Sequence, residues 1–390
     1  MREPQSKKPL DTVNLAEEVS KGFDENDKLS ARLDRYSTAK TRALLNLKEL
    51  EGSSSSFNFP EQWERSVSSL KHCGNYLRFH HYFTVGKVRL NAASFCKQHL
   101  ICPLCAIRRG AKTLGAYTKR YDVIKTENPS WRLSMITLTV KNGDDLKERF
   151  EHLQSSLQRV FKHRRKALNE GKSRTEWRKV HGYVGTVEVT NQGKGWHPHA
   201  HIMVLHSESF DYRALQEEWK DITGDSHVLN VSAAHHPDQP ELDFLEVFKY
   251  AVKFSDLTPA DNLKAFLVLR RHRLLFSGGA FRGVEVPETL EDEPLDGLPY
   301  IELMYRYAFG AYSLTSSEMV EAPPPVEPVT AGADACGVKP AETAEQQSQC
   351  LPAKKLERQA RKRWLNRMAA AAGADVPVQS LRMQPPQQTQ

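Results

Sequence analysis

The sequence predicts an α+β fold: an antiparallel sheet of the ferredoxin-like or RRM-like kind, with helices on one face and a small cysteine-rich segment before it. Three observations predict it. Strand and helix signals follow in the order βαββαβ between about residues 133 and 231, the central hairpin carries histidines at alternate positions, and three cysteines crowd into Cys96–Cys105 ahead of the first strand.

Residues 1–60 are polar and charged and close in Gly52-Ser53-Ser54-Ser55-Ser56, which reads as a polar leader, partly helical or disordered. Residues 61–130 hold the cysteines and a basic helix after them, and residues 131–320 form the main domain. There, the run Met135-Ile136-Thr137-Leu138-Thr139-Val140, with β-branched Ile136, Thr137, Thr139 and Val140, predicts a strand near 133–140. Leu146, Phe150, Leu153, Leu157, Val160 and Phe161 form the apolar stripe of a helix near 144–168. Tyr183–Thr190 and Trp196–Val204, joined by Asn191-Gln192-Gly193-Lys194-Gly195, read as a hairpin over 181–205. A helix near 211–222 and a β-prone run at 228–231 follow, leading to a helix whose Phe244, Leu245, Phe248, Ala251 and Val252 repeat at helical spacing. An aromatic and aliphatic segment at 298–314 completes the packing. From Glu321-Ala322-Pro323-Pro324-Pro325 to residue 390 runs a Pro/Ala/Gln-rich tail, expected to be disordered except for a short basic helix over 354–368.

The 390 residues carry 55 Lys+Arg against 48 Asp+Glu, a net charge of +7 that suits a nucleic-acid partner. No apolar run reaches the length of a membrane span and the N-terminus lacks a signal-peptide core, so a soluble cytoplasmic protein is expected. In that reducing compartment Cys96-x5-Cys102-Pro103-Leu104-Cys105, with Cys73 upstream, reads as a structural zinc site rather than disulfides. Cys73, Cys96, Cys102 and Cys105 would make a closed four-thiolate site, with His99 as the rival fourth ligand and buried free thiols as the alternative. Cys336 and Cys350 stand alone in the tail.

A strand sends alternate side chains to one face, so His197, His199 and His201 converge there as ligands for a divalent cation, Mg2+ or Mn2+. If Glu188 pairs opposite His199 or His201, its carboxylate joins them; a one-residue slip turns it away. A histidine-rich edge strand that binds nothing is the plainer alternative. Glu246, Tyr250 and Lys253 share one face of the last helix, where a phenol between a carboxylate and an ammonium suits attack on phosphorus. Taken alone, the same spacing describes an amphipathic helix with Tyr250 at a core rim. Three basic runs are candidates for phosphate contacts: Arg108, Arg109 and Lys112; Lys162–Lys166, read as the end of a helix where the dipole alone favours cations; and Arg270, Arg271, His272 and Arg273.

Together the motifs resemble the HUH endonuclease superfamily, and more closely its single-tyrosine plasmid rolling-circle replication initiators. His199-Ala200-His201-Ile202-Met203-Val204 is similar to the family's His-hydrophobe-His motif, Met135–Asn142 to its first motif, and Lys249-Tyr250-Ala251-Val252-Lys253 to its tyrosine motif, in the family's order. The likeness covers roughly residues 65–290, and the Phe-Cys…Cys-Pro-x-Cys…Arg segment is similar to one that many such initiators carry before motif one. The resemblance implies an HUH nicking and joining domain over 131–320. In it a metal held by His199, His201 and Glu188, with His197 left open, would face a Tyr250 nucleophile assisted by Lys253, and Glu246 would activate water in the terminating cleavage. Implied partners are plasmid origin DNA, single-stranded at the nick, and a host helicase, polymerase and single-strand-binding protein. An HUH transposase or mobilisation relaxase would share these motifs; a noncatalytic zinc-containing DNA-binding regulator is the reading from a different class.

Overall fold

The computed structural model describes residues 25–56, 60–171, 174–234, 236, 240–248 and 257–321. In chain order, α1 (Glu25–Glu51), α2 (Pro60–His72), β1 (Tyr76–Tyr82), β2 (Lys87–Ala93) and α3 (Pro103–Glu127) come first. The predicted unit follows as β3 (Arg132–Thr139), α4 (Leu146–Glu170), β4 (Val180–Asn191), β5 (Trp196–His206), α5 (Tyr212–Thr223) and β6 (Leu229–Ala233). Then come α6 (Pro240–Phe248), α7 (Pro259–Leu269), β7 (Leu275–Gly279), β8 (Tyr300–Ala308) and β9 (Ala311–Val320).

Local chemistry sets the element ends. Asp145 accepts from the backbone N–H groups of Lys147 and Glu148 to start α4, and Gly171 ends it in the left-handed region at φ 66°. Asp211 and Gly224 do the same for α5. Five strands pair in the order β6-β3-β5-β4-β7, every pair antiparallel. β3 and β5 are central and β6 and β4 flank them, which is the ferredoxin-like arrangement of a βαββαβ unit. α4 and α5 cover one face, where Phe150, Leu153, Leu157 and Trp219 pack on Ile136, Val187, Ala200 and Ile202.

Two features lie beyond the sequence reading. The opposite face of the sheet is partly covered as well: Val184, Met203 and Leu205 share a core with Leu114, Tyr117, Phe244 and Phe248 of α3 and α6. Part of the leader joins that core too, since Tyr36, Ala39, Ala43, Leu47 and Leu50 are buried at the three- and four-residue spacing of a helix face. A second antiparallel sheet, in the order β2-β1-β8-β9, closes over these helices by pairing chain segments far apart in sequence. Its strands carry Arg78, His80, His81 and Arg89 among their apolar residues, which blurs the alternation. The predicted tail from residue 322 onward lies outside the described residues.

Candidate metal centre and its surroundings

The hairpin register answers the question of Glu188. β4 and β5 pair with Glu188 opposite His199 and Thr186 opposite His201, so the carboxylate falls on the histidine face. Glu188 is 2% exposed, and His199 and His201 are 9% each. Glu188 Oε2 lies 2.8 Å from His199 Nε2 and 3.3 Å from His201 Nε2, and the three ligand atoms form one group within 4.8 Å. On its far side the His199 ring donates Nδ1–H to the carbonyl of His197 at 3.2 Å. A carbonyl only accepts, so that bond puts the proton on Nδ1 and turns the Nε2 lone pair toward the carboxylate. Two acceptors facing at this distance need a proton or a metal ion between them. Thr137 Oγ1, on the central strand β3, meets His201 Nδ1 at 3.1 Å and fixes that ring in turn; the sequence reading did not single out Thr137.

His197 stands beside this group rather than in it. Its ring centroid is 5.2 Å from that of His199, and its Nδ1 meets Asn142 Oδ1 at 2.6 Å. Burial, helped by the neighbouring His199, holds its pKa below the usual imidazole value. Two imidazoles and one carboxylate leave coordination positions open, the donor set of a catalytic rather than a closed structural ion.

The C-terminal end of α6 is tied to the same strand. Thr186 Oγ1 donates to the carbonyl of Val247 at 2.8 Å, two residues along β4 from Glu188. Phe248 lines a cavity of about 420 Å3 together with Thr186, Arg109, Arg270 and His99. Tyr250 and Lys253 lie outside the described residues, and for Glu246 only the backbone position within α6 is described.

Cys73, Cys96, Cys102 and Cys105 form a second group, all four sulfurs within 4.8 Å of one another; His99 is not in it. The closest Sγ···Sγ distances are 3.5 Å for Cys73 to Cys102 and to Cys105, and 3.6 Å for Cys96 to Cys105. Disulfides are excluded at that spacing, whereas a tetrahedral ion with bonds of about 2.3 Å would hold its sulfurs about 3.8 Å apart. Hydrogen bonds from Cys102, Cys105 and Cys96 hold the Cys73 thiol below its ordinary pKa, and bonds to Cys105 and Cys73 push Cys102 up. Pro103 at the first turn of α3 brings Cys102 and Cys105 to the start of that helix. Gly74, at φ +66°, turns the chain after Cys73; a Cβ there would collide with the Leu104 side chain. The buried Lys40 donates to the carbonyls of Lys71 and Cys73 at 3.1 and 2.6 Å, fixing the same loop.

The basic residues divide. Arg108 is a correction to the expected phosphate contacts: it is 3% exposed, donates to the Leu290 carbonyl and the Tyr36 hydroxyl at 2.7 and 3.1 Å, and pairs with Asp292. Asp292 also pairs with Arg32 and accepts from the backbone of Leu90. Burial works to raise that carboxyl, but Arg32 and Arg108 overcome it and hold the group far below the carboxylate range. Arg108 is thus spent joining α1, α3 and β2. Arg109 remains half-buried at the cavity beside Thr186, with one N–H on the Pro287 carbonyl. Lys112 is half-buried at a groove it shares with Glu285, Asp292 and Glu293. Arg270 is half-buried at the cavity and Arg271 is exposed.

A family model described as Replication protein matches residues 87–302. The chain is 32% identical over 165 residues to a Protein rep of Streptococcus pneumoniae serotype 2, an alignment covering 40% of this chain and 48% of that one. It is 26% identical over 205 residues to a Protein rep of Staphylococcus aureus, covering 50% and 84% respectively. It is 25% identical over 276 residues to a Protein rep of Bacillus amyloliquefaciens, covering 61% and 77%. The chain therefore spans about half the length of the streptococcal relative and more of the other two. No solved structure gives a significant match.

Proposed function

This chain belongs to the replication protein family, and on that premise we propose that it initiates plasmid rolling-circle replication by cutting one strand of the origin with a tyrosine nucleophile. The observation that carries the reading is the buried Glu188–His199–His201 group, whose Glu188 sits on the strand that also anchors the end of α6 through Thr186. Tyr250 follows Val247 by three residues, a covalent reach of at most about 11 Å.

Glu188, His199 and His201 are the residues that would hold Mg2+ or Mn2+, with two imidazoles favouring manganese by intrinsic affinity. Such an ion supplies Lewis-acid polarisation of the scissile phosphate. Tyr250 forms the new bond to phosphorus as the bond to the 3′ oxygen breaks; the phenol gives up its proton and the leaving oxygen takes one up. The products are a 5′-phosphotyrosyl link and a 3′-OH that a polymerase extends. Lys253 offsets phosphate charge or favours the phenolate, and Glu246 acts as the base for water in the terminating cleavage. The ester keeps the energy of the broken bond, so strands are rejoined without ATP. Cys73, Cys96, Cys102 and Cys105 hold a structural zinc. The partners are origin DNA, single-stranded at the nick, with a host helicase, polymerase and single-strand-binding protein in the cytoplasm; no described helix is long and apolar enough to cross a membrane.

The test uses single-stranded oligonucleotides tiled across the replicon that encodes the chain, incubated with Mn2+ and run on a denaturing gel. A covalent protein–DNA band is expected, reduced by more than about a thousandfold in Tyr250→Phe and lost in chelator. An undiminished band in either case overturns the mechanism.

A further inference from the structure

The second of the three basic runs carries no part of the metal face. α4 continues to Glu170 and its last turn holds no basic residue. The helix dipole acts within the last turn only, so it does not explain Lys162–Lys166. Arg159, Lys162 and Arg165 stand three residues apart along one side of α4, and like charges at that spacing weaken a helix. A stripe kept at a cost to the helix calls for a partner of opposite charge.

These cations line a groove of about 750 Å3 between α4 and the edge strand β7, with Arg282 on the opposite wall. Of its twelve lining residues five are cationic and none is acidic, in a chain with 48 Asp+Glu. Arg164 is used internally: it donates twice to the Val180 carbonyl, and its guanidinium lies 5.5 Å from the Tyr183 ring centroid. Arg159, Lys162, Arg165 and Arg282 are exposed and, among the described residues, make no hydrogen bond or ion pair. From Arg159 to Arg165 the stripe runs about 9 Å along the helix axis, a length suited to successive phosphates of a polymer rather than one small anion. Base stacking is poorly served, because Tyr183 already lies flat against Phe161 at 4.2 Å between centroids and 7° between planes. Single-strand binders rely on open aromatic platforms; duplex binders can work by backbone charge alone.

We propose that the α4–β7 groove docks the phosphate backbone of duplex DNA flanking the cut site, through Arg159, Lys162, Arg165 and Arg282. Tyr183 and Glu188 are five residues apart on β4, so the groove and the metal group lie on opposite faces of the sheet. β7 is the rim between them: Leu275, paired with Thr186, lines the cavity on the metal side, and Gly278, paired with Tyr183, lines the groove. A duplex held on the α4 side has one sheet edge to round before its cut strand meets Glu188, His199 and His201. The link to cutting rests on the function proposed above; duplex binding by the groove does not.

The test compares the full-length protein with the quadruple variant Arg159→Ala/Lys162→Ala/Arg165→Ala/Arg282→Ala, whose exposed sites keep the thermal midpoint at or above the parent's. A control, Lys71→Ala/Lys87→Ala/Arg213→Ala/Lys220→Ala, removes the same charge elsewhere. Binding of a short mixed-sequence duplex is followed by fluorescence anisotropy across a salt series. The groove variant is expected to bind more than about tenfold more weakly, with a log K against log salt slope shallower by about three to four. It should still form the covalent adduct with single-stranded oligonucleotide to within about twofold of the parent, and the control should match the parent on duplex. Unchanged duplex affinity and slope, or an equal loss in the control, overturns the assignment. If the parent forms no adduct, the nicking reading fails while the duplex measurement still decides the groove.

Discussion

At the scale of single residues, the candidate metal group shows how hydrogen bonds behind the ligand side chains set their orientation. The His197 carbonyl and Thr137 Oγ1 orient the rings of His199 and His201 so that both Nε2 atoms face Glu188. The alternation of histidines was legible in the chain because period is a local property; Glu188 was legible as a candidate, but its side of the sheet waited on the register that pairs it with His199. Thr137 was not legible as a contributor, since it reaches the site only through β3–β5 pairing. Arg108 misled for a related reason: its partner Asp292 is 184 positions away, and an arginine beside Arg109 reads equally well as surface charge. Arg108→Ala is expected to lose about 3–5 kcal/mol of stability, as removal of one partner from a buried ion pair does. A urea titration would show this as a lower midpoint, while the folded protein keeps its DNA affinity; a variant of parental stability with weakened DNA binding would return Arg108 to the phosphate-contact role.

At the scale of elements, β3, α4, β4, β5, α5 and β6 were readable because each carries its own periodicity and its own caps, as Asp145 and Gly171 do for α4. β1, β2, β8 and β9 were not, because their stability comes from pairing with one another, and polar residues interrupt their alternation. The cysteine spacing implied an ion site, but the choice of Cys73 over His99 needed the turn at Gly74 and the Lys40 anchor. That loop yields a prediction of its own. The protein is expected to contain zinc at the four cysteines, and Cys102→Ser should lower the thermal midpoint by more than about 10 °C, since structural zinc contributes roughly 10–16 kcal/mol in small sites. A parental midpoint in Cys102→Ser, with metal analysis finding no zinc in either protein, would argue for buried free thiols instead.

For the whole molecule, buried imidazoles couple stability to pH. Burial is the leading cause that holds His80 and His206 below the ordinary imidazole value. His206 shows why: Nδ1 donates to the Glu208 carbonyl and Nε2 meets the Ser134 hydroxyl at 2.8 Å, a pattern complete for the neutral ring. The unfolded chain therefore binds more protons than the folded one as pH falls through 6.5, and stability falls with it; above that value both are neutral in both states and contribute no slope. The urea midpoint is expected to be lower at about pH 5.5 than at about pH 7.5, and equal midpoints would mean that these rings take up protons in the folded protein at no cost.

The pairing of β1 with β8, and the bond from Tyr312 to Gly74 across 238 positions, also bear on how the chain is made. On the ribosome the βαββαβ unit has all its strands once Ala233 has emerged, but β1 waits for Tyr300–Ala308 with one rim unpaired. A product cut short in that interval presents an open strand with nothing to shield it, the form most prone to stick to its neighbours. Premature termination between those points should therefore yield insoluble fragments rather than a free-standing βαββαβ unit.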